Sequence, residues 1–178
     1  MARTILYIAA SLDGYIAKPD GDLDWLTSFP NPENEDFGYN KLLTEIEVII
    51  MGRATYEALT KMEIAWPYPA YKTFVVSNNP MQLITTANTY LITSGLNNFM
   101  TEIRNQSNKD IWLVGGGKLI RSLLNYDQID RIILTIVPTI LGSGIPLFSD
   151  EMKHSNWKFI HSESYSNGLV KITYDLKK

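Results

Sequence analysis

The chain has 178 residues, 45% of them hydrophobic and 20% charged, with a formal net charge of −3 and no cysteine. This length and balance describe an ordinary globular protein with enough apolar side chain for a real core, and a single domain over residues 1–178 is expected. Singly scattered Lys and Arg residues give no basic field to follow a nucleic-acid backbone, and the lack of cysteine excludes disulfides, thiolate catalysis and cysteine-held metal. No apolar run approaches the roughly 18 residues of a spanning helix, and strand-like sequence follows Met1-Ala2-Arg3 directly, so no membrane association and a cytoplasmic location are expected.

In chain order, residues 4–10 are apolar and rich in strand formers, and Asp13-Gly14 turns the chain into a short extended piece at Tyr15-Ile16-Ala17. Residues 18–24 form a polar, turn-rich loop that Trp25-Leu26 anchors. The Asn31-Pro32-Glu33 signal and the spacing of Phe37, Leu42, Leu43 and Ile46 predict a helix over residues 33–44. Residues 47–51 read as a buried strand and 55–59 as a short helix; residues 73–77 are a further strand, 83–90 show no clear pattern, and 91–104 contain a helix. A strand at 111–114, a helix at 118–124 and a strand at 130–137 lead into the turn-rich stretch 138–146. Alternation at Trp157, Phe159 and His161, and again at Val170, Ile172 and Tyr174, predicts an antiparallel hairpin about Ser166-Asn167-Gly168. Helices between buried strands predict an α/β fold, a mostly parallel sheet covered on both faces with an antiparallel edge.

Two separated segments carry the chemistry. Met51-Gly52-Arg53-Ala54-Thr55-Tyr56-Glu57 ends one apolar run, and Ile111-Trp112-Leu113-Val114-Gly115-Gly116-Gly117-Lys118 leads a second into three glycines. Glycine lets backbone approach a phosphate, and the helix that follows offers free N–H groups. Ligands of such sheets lie beyond the carboxyl ends of the strands, where both corners should stand. Arg53 can present its guanidinium fork with the Thr55 hydroxyl nearby, or be a surface arginine beside a capping threonine. Ser77 is a further phosphate contact or a turn serine, and the glycines alone could be a tight strand-to-helix turn. Neither the three-glycine dinucleotide fingerprint nor the lysine-serine of a P-loop is present.

No serine elbow or metal-ligand cluster is evident, and His154 and His161 fall late in the chain. Asp13 reads as a turn residue, and Asp22 and Asp24 as solvated loop acids. Asp36 falls in the helix expected to cover the cleft. Facing an apolar pocket, it would have a raised pKa and could relay a proton or accept from a ring N–H. Met51, ending a buried strand, is core.

These segments resemble the dihydrofolate reductase superfamily, and within it the reductase (C-terminal) domain of the bifunctional riboflavin-biosynthesis deaminase-reductase. The resemblance rests on residues 11–17 (SLDGYIA), 48–57 (VIIMGRATYE), 111–118 (IWLVGGGK) and 141–148 (LGSGIPLF), in that order. It implies a dihydrofolate reductase-like fold and NADPH as hydride donor, held at Gly52, Arg53, Ala54 and Thr55, near Ser77, and by Gly115, Gly116 and Gly117. It implies hydride transfer to a small heterocycle, with 5-amino-6-(5-phosphoribosylamino)uracil reductase-like or dihydrofolate reductase activity as the forms known in the superfamily. Asp36 looks like the helix carboxylate that meets the pteridine in folate reductases, whereas residues 21–26 (GDLDWL) replace their proline-bearing loop. Tyr15, Trp25, Phe37 and Thr135 are the expected pocket walls. The resemblance further implies a homodimer, in which the apolar loop 141–148 could take part. A nucleotide-binding module without catalysis, or a structural dimer, on the same fold remains the other reading.

Overall fold

The first apolar run forms strand β1 (Thr4–Ser11), and the Asp13-Gly14 turn returns the chain into the short strand β2 (Tyr15–Ala17). Asp13 braces that turn. It accepts from Ser11 Oγ (2.7 Å) and from the N–H groups of Leu141 (3.1 Å) and Gly142 (2.7 Å), so it also fastens the distant loop that carries them. The Ser11 hydroxyl and these N–H groups hold its carboxyl below the usual carboxylate range. The computed structural model describes residues 1–178 apart from Glu63, Met81, Leu83 and Lys178. The unpatterned stretch 83–90 therefore begins outside the described residues.

Helix α1 (Asp24–Thr27) buries Trp25. The helix expected over residues 33–44 is shorter: α2 spans Tyr39–Glu45. Residues ahead of it cannot be helical, because Asn34, Phe37 and Gly38 have φ of 50°, 55° and 89°, in the left-handed region that breaks a right-handed helix. Then follow β3 (Ile46–Gly52), α3 (Arg53–Lys61), β4 (Lys72–Val76), β5 (Thr89–Ile92), α4 (Leu96–Gln106), β6 (Asp110–Gly115), α5 (Gly117–Asn125), β7 (Arg131–Val137), β8 (Ile145–Pro146), β9 (Trp157–Ser164) and β10 (Val170–Leu176). No helix among the described residues is long and apolar enough to cross a membrane.

Eight strands form one sheet in the order β5-β4-β3-β6-β1-β7-β10-β9, and β2 pairs with β8 beside it. All pairings from β5 to β7 are parallel, whereas β10 runs antiparallel to both β7 and β9. Alternation along the central strands feeds two cores. Leu6, Ala10, Val48, Ile50 and Leu113 pack against Met100 of α4 and Leu119, Ile120 and Leu123 of α5. Ile5, Ile49, Met51, Val75 and Trp112 face the other way, against Leu42 of α2 and Tyr56 of α3. Met51 is thus core. This is the dihydrofolate reductase-like, helix-covered sheet with an antiparallel C-terminal hairpin.

One buried polar network closes the end of the sheet opposite the glycine corners. Arg104 of α4 donates to Asp130 Oδ2 (2.6 Å), Gln128 Oε1 (2.8 Å) and Ala2 O (3.1 Å), and Asp130 Oδ2 accepts the Thr4 N–H (2.9 Å). The pair is about nine-tenths buried on both sides, so removing the cation leaves a carboxylate in low dielectric. Arg104→Met is expected to lower unfolding free energy by about 3–5 kcal/mol, read as a fall in the urea midpoint without a change in slope.

Candidate active site

Strands β3 and β6 are neighbours, with Met51 opposite Gly115, so α3 and α5 start at adjacent carboxyl ends but lie on opposite faces of the sheet. The two corners touch: the Gly116 N–H donates to Thr55 Oγ1 at 3.1 Å. A Cβ on Gly52 would stand 3.6 Å from Gly115 O, and Gly115 itself has φ +135°, a backbone state that favours glycine. Gly117 has a different reason: a Cβ there would meet Pro146 O at 3.0 Å, so this glycine lets β8 close over the start of α5. Neither α3 nor α5 carries a side-chain N-cap. Their first-turn N–H groups, those of Arg53, Ala54 and Thr55 among them, therefore point beyond the sheet edge as anion donors.

The Arg53 side chain is half exposed, and its ion pair among the described residues is a long 3.9 Å approach to Glu57. Its guanidinium is available at the rim of the corner. Ser77 follows β4 at the same edge, where its hydroxyl accepts the Asn79 N–H (3.1 Å) and so shapes its own turn.

A cavity of about 290 Å³ lies over β1 and β7, at Tyr7–Ala9 and Thr135. Ala9 and Thr135 are register partners in the two strands. Leu26 and Thr27 of α1, Phe29, Asn31 and Phe37 roof it, and Asn167 and Leu169 of the β9–β10 turn close its side. Ile8, between Tyr7 and Ala9, sends its side chain to the opposite face, where Cδ1 lies 3.4 Å from the Cβ position of Gly115. The cavity and the glycine corner are therefore separated by little more than β1 itself.

Of the expected pocket walls, Phe37 and Thr135 line this cavity and Trp25 and Tyr15 do not. Trp25 is buried in a small core with Val137 and Leu169. Tyr15 belongs to the β2–β8 pair and packs against Gly144, whose missing Cβ would otherwise meet the Tyr15 side chain at 3.2 Å and Ala17 O at 2.2 Å. Tyr7, Leu26, Phe29 and Leu169 are walls that the sequence reading missed.

Phe37 is held in its left-handed conformation from outside. Its carbonyl accepts from Lys171 Nζ (2.9 Å) and Tyr7 Oη (3.3 Å), and its ring meets Tyr165 edge to face at 4.8 Å. Lys171 also donates to Tyr165 Oη (2.6 Å) and pairs with Glu163 (2.8 Å). Burial works against its charge, but Glu163 and Tyr165 keep Lys171 above its usual range, and Lys171 in turn holds Glu163 below its own. Burial, with Tyr165 and Asp36 nearby, pushes the Tyr7 hydroxyl up, so it stays a donor.

Asp36 does not face the cavity. Its side chain is exposed, with Oδ1 accepting the Gly38 N–H (2.8 Å) and Oδ2 the Asn40 N–H (3.0 Å). Those two bonds hold its pKa below the usual carboxylate range, the reverse of the rise that burial in an apolar pocket would cause. Asp22 accepts from Lys18 Nζ (2.7 Å) and from the Asp24 N–H (2.7 Å), building the loop ahead of α1. His154 and His161 are exposed and line no part of the cavity.

Known proteins share this chain's sequence pattern and fold. The family model of the RibD C-terminal domain matches residues 3–171. YwjB of Bacillus subtilis (strain 168) is 38% identical over 149 residues, 83% of each chain, and YyaP of the same organism is 30% identical over 183 residues, 97% of this chain and 94% of its own. A crystal structure from Shewanella sp. PV-4, named for riboflavin biosynthesis, is 34% identical and superposes over all of both chains with a TM-score of 0.89. Dihydrofolate reductase from Enterococcus faecalis, complexed with NADP(H) and RAB-propyl, is 18% identical over 99% of this chain and 97% of its own, with a TM-score of 0.71. That last likeness is one of fold. The extent of the family match and the identity to these relatives make the chain a member of the RibD C-terminal domain family, reductase-like proteins on the dihydrofolate reductase fold.

Proposed function

We propose that the protein is an NADPH-dependent reductase that passes a hydride to a small heterocycle bound over β1 and β7. The carrying observation is the placing of a donor-rich phosphate corner and a mostly apolar cavity on either side of one strand, with Ile8 between them. The residues present fit a dinucleotide phosphate. The corner joined by Thr55 and Gly116 lets a pyrophosphate approach backbone that side chains would otherwise cover, and Arg53 offers a half-exposed fork at the rim. When bound, NADPH supplies the hydride, and the protein supplies position and exclusion of water.

The chain's own residues then have separate tasks. Gly52, Arg53, Ala54 and Thr55, with Gly115, Gly116 and Gly117, hold the phosphates, and Ser77 keeps the neighbouring turn closed. Phe37 and Leu26 press on the substrate ring while Thr135 meets its polar edge. The bifunctional deaminase and 5-amino-6-(5-phosphoribosylamino)uracil reductase of Thermotoga maritima shares the fold at 16% identity and a TM-score of 0.71, over 99% of this chain and 57% of its own. With the Shewanella protein, it supports a reductase connected with riboflavin biosynthesis; the dihydrofolate reductase fold supports a pterin as the other heterocycle. A homodimer is also proposed. The exposed side chains of Leu12, Ile140 and Phe148 offer an apolar patch for it, and sedimentation at micromolar concentration should give twice the chain mass, falling to one in Ile140→Asp/Phe148→Asp.

Calorimetric titration with NADPH and then NADH tests the cofactor reading. Micromolar binding that prefers NADPH is expected, and binding of neither removes the reductase. Arg53→Ala should weaken NADPH by about tenfold or more, the loss of a charged hydrogen bond worth roughly 1.5–3 kcal/mol, and leave NADH nearly unchanged; equal weakening would take Arg53 off the extra phosphate. Asp36 should titrate by carboxyl NMR below the ordinary value near 3.9. With a folded pKa lower than the unfolded one, its stabilisation of the α2 start is present above that ordinary value and is lost as pH falls through the folded pKa. A midpoint above it would return Asp36 to an apolar site.

A further inference from the structure

We propose that the substrate of this cavity is uncharged, a one- or two-ring heterocycle carrying neither phosphate nor carboxylate, and that the loop roofing the cavity discriminates against its anionic relatives. This rests on the reductase reading above and narrows it, because the superfamily's phosphorylated and carboxylated substrates fall outside the class.

Among the described residues no charged side chain lines the cavity. Its polar lining groups are largely engaged with the protein. Asn31 Oδ1 accepts the Glu35 N–H (3.0 Å) and its amide donates to Glu35 O (2.8 Å); Asn167 donates to Pro30 O (3.0 Å); Thr27 donates to Leu23 O (3.3 Å); Tyr7 donates to Phe37 O (3.3 Å). Thr135 alone has a hydroxyl with no side-chain hydrogen bond among the described residues, although it is 6% exposed. A buried ligand thus meets the open Thr135 hydroxyl, at most one spare amide N–H each on Asn31 and Asn167, and a majority of apolar wall. An anion placed there would lose its hydration without a charged partner, a large cost.

The approach is acidic as well. Residues 19–38, which supply the roof, contain Asp20, Asp22, Asp24, Glu33, Glu35 and Asp36 and neither Lys nor Arg. Glu33, Glu35 and Asp36 are exposed on the stretch between the lining residues Asn31 and Phe37. Two cations of the surrounding elements are committed: Lys18 to Asp22 (2.7 Å), and Lys171 to Glu163 (2.8 Å) and the Phe37 carbonyl (2.9 Å). No described lining residue offers a cation to a phosphate, and the exposed carboxylates of the roof would repel one at low ionic strength.

The chemistry follows from the lining. At a C=N bond of the substrate, the carbon receives the hydride of NADPH and forms the new C–H bond. The π pair moves to nitrogen, which takes its proton from water at the mouth, and NADP⁺ leaves. The lining holds no carboxylic acid or imidazole to supply that proton, so acceptors that protonate readily from water are favoured.

The test is calorimetric titration of the purified protein with two matched pairs: 5-amino-6-ribosylaminouracil against its 5′-phosphate, and 6-methyl-7,8-dihydropterin against 7,8-dihydrofolate. The uncharged member of at least one pair should bind, and at low ionic strength at least tenfold more tightly than its anion. That gap should shrink with added salt and in Glu33→Gln/Glu35→Gln, whose side chains lie outside the lining. Thr135→Val should weaken the uncharged ligand about three- to tenfold, as for one neutral hydrogen bond, with NADPH affinity unchanged. Equal or tighter binding of the phosphate or the folate overturns the proposal, as does failure of both uncharged probes to bind. NADPH is titrated separately, so loss of the reductase reading shows as absent NADPH binding and is not confused with either result.

Discussion

Strand β1 pairs in parallel with β6 on one side and β7 on the other, so no hairpin can join these strands and each connection must cross a sheet face. That places helices on both faces and brings the strand-to-helix turns to one edge. The turn after β3 leads to α3 on one face, and the turn after β6 leads to α5 on the other. Because β3 and β6 are neighbours, both turns pass within contact distance, and at Gly115 the backbone takes a positive φ of 135° that favours glycine. The Gly116 N–H and the Thr55 hydroxyl then close the remaining gap. The anion-binding character of this edge is a consequence of topology, since two uncapped helix starts have been directed to one point.

The same topology explains what could be read in the sequence. Buried parallel strands are continuous apolar runs, and the runs at residues 47–51, 111–114 and 130–137 appear as strands within a residue or two at each end. The C-terminal hairpin was legible through its alternation and its Asn167-Gly168 turn. The segment ahead of α2 was not. Its apolar spacing suits a helix, but Asn34 and Phe37 adopt left-handed backbone, which asparagine tolerates and phenylalanine does not announce, and Asp36 uses both oxygens as a cap at the true start. The helix prediction had carried Asp36 into the cleft, so its exposure follows from the same shortening. For the cavity, Phe37 and Thr135 were reachable, whereas Tyr7, Phe29 and Leu169 come from a strand face, a loop and a turn. Only the folded register unites them, and no local pattern marks them.

Phe37 shows how a wall of the cavity is kept in place. A non-glycine residue in the left-handed region is costly, of order 1–3 kcal/mol in a strained site. Here the carbonyl accepts from Lys171 and Tyr7 while the ring lies edge-on to Tyr165. Lys171 is on β10 and Tyr165 on the turn before it, so the antiparallel hairpin at the sheet edge does more than extend the sheet. It clamps the roof loop from the side, and its Asn167 reaches Pro30 in the same loop. The edge hairpin is thereby part of the site, although its outer strand β9 is exposed along nearly all its length.

Charge is divided across β1 in a way that would suit the proposed hydride transfer. In that reading positive potential belongs at the glycine corner, where uncapped helix starts and the half-exposed Arg53 would receive the phosphates of the cofactor. On the other side the proposed transfer would run between carbons, away from water. An apolar cavity whose polar atoms already bond to the protein keeps water from competing for the substrate's single polar edge, and so strengthens whatever contact Thr135 makes there. The acids of the roof loop lie outside the lining, Asp36 bound to its own backbone and Asp22 to Lys18. In the proposed reading the site's affinity would come from shape and desolvation on the substrate side and from donors on the cofactor side, with one strand of backbone as the boundary between the two.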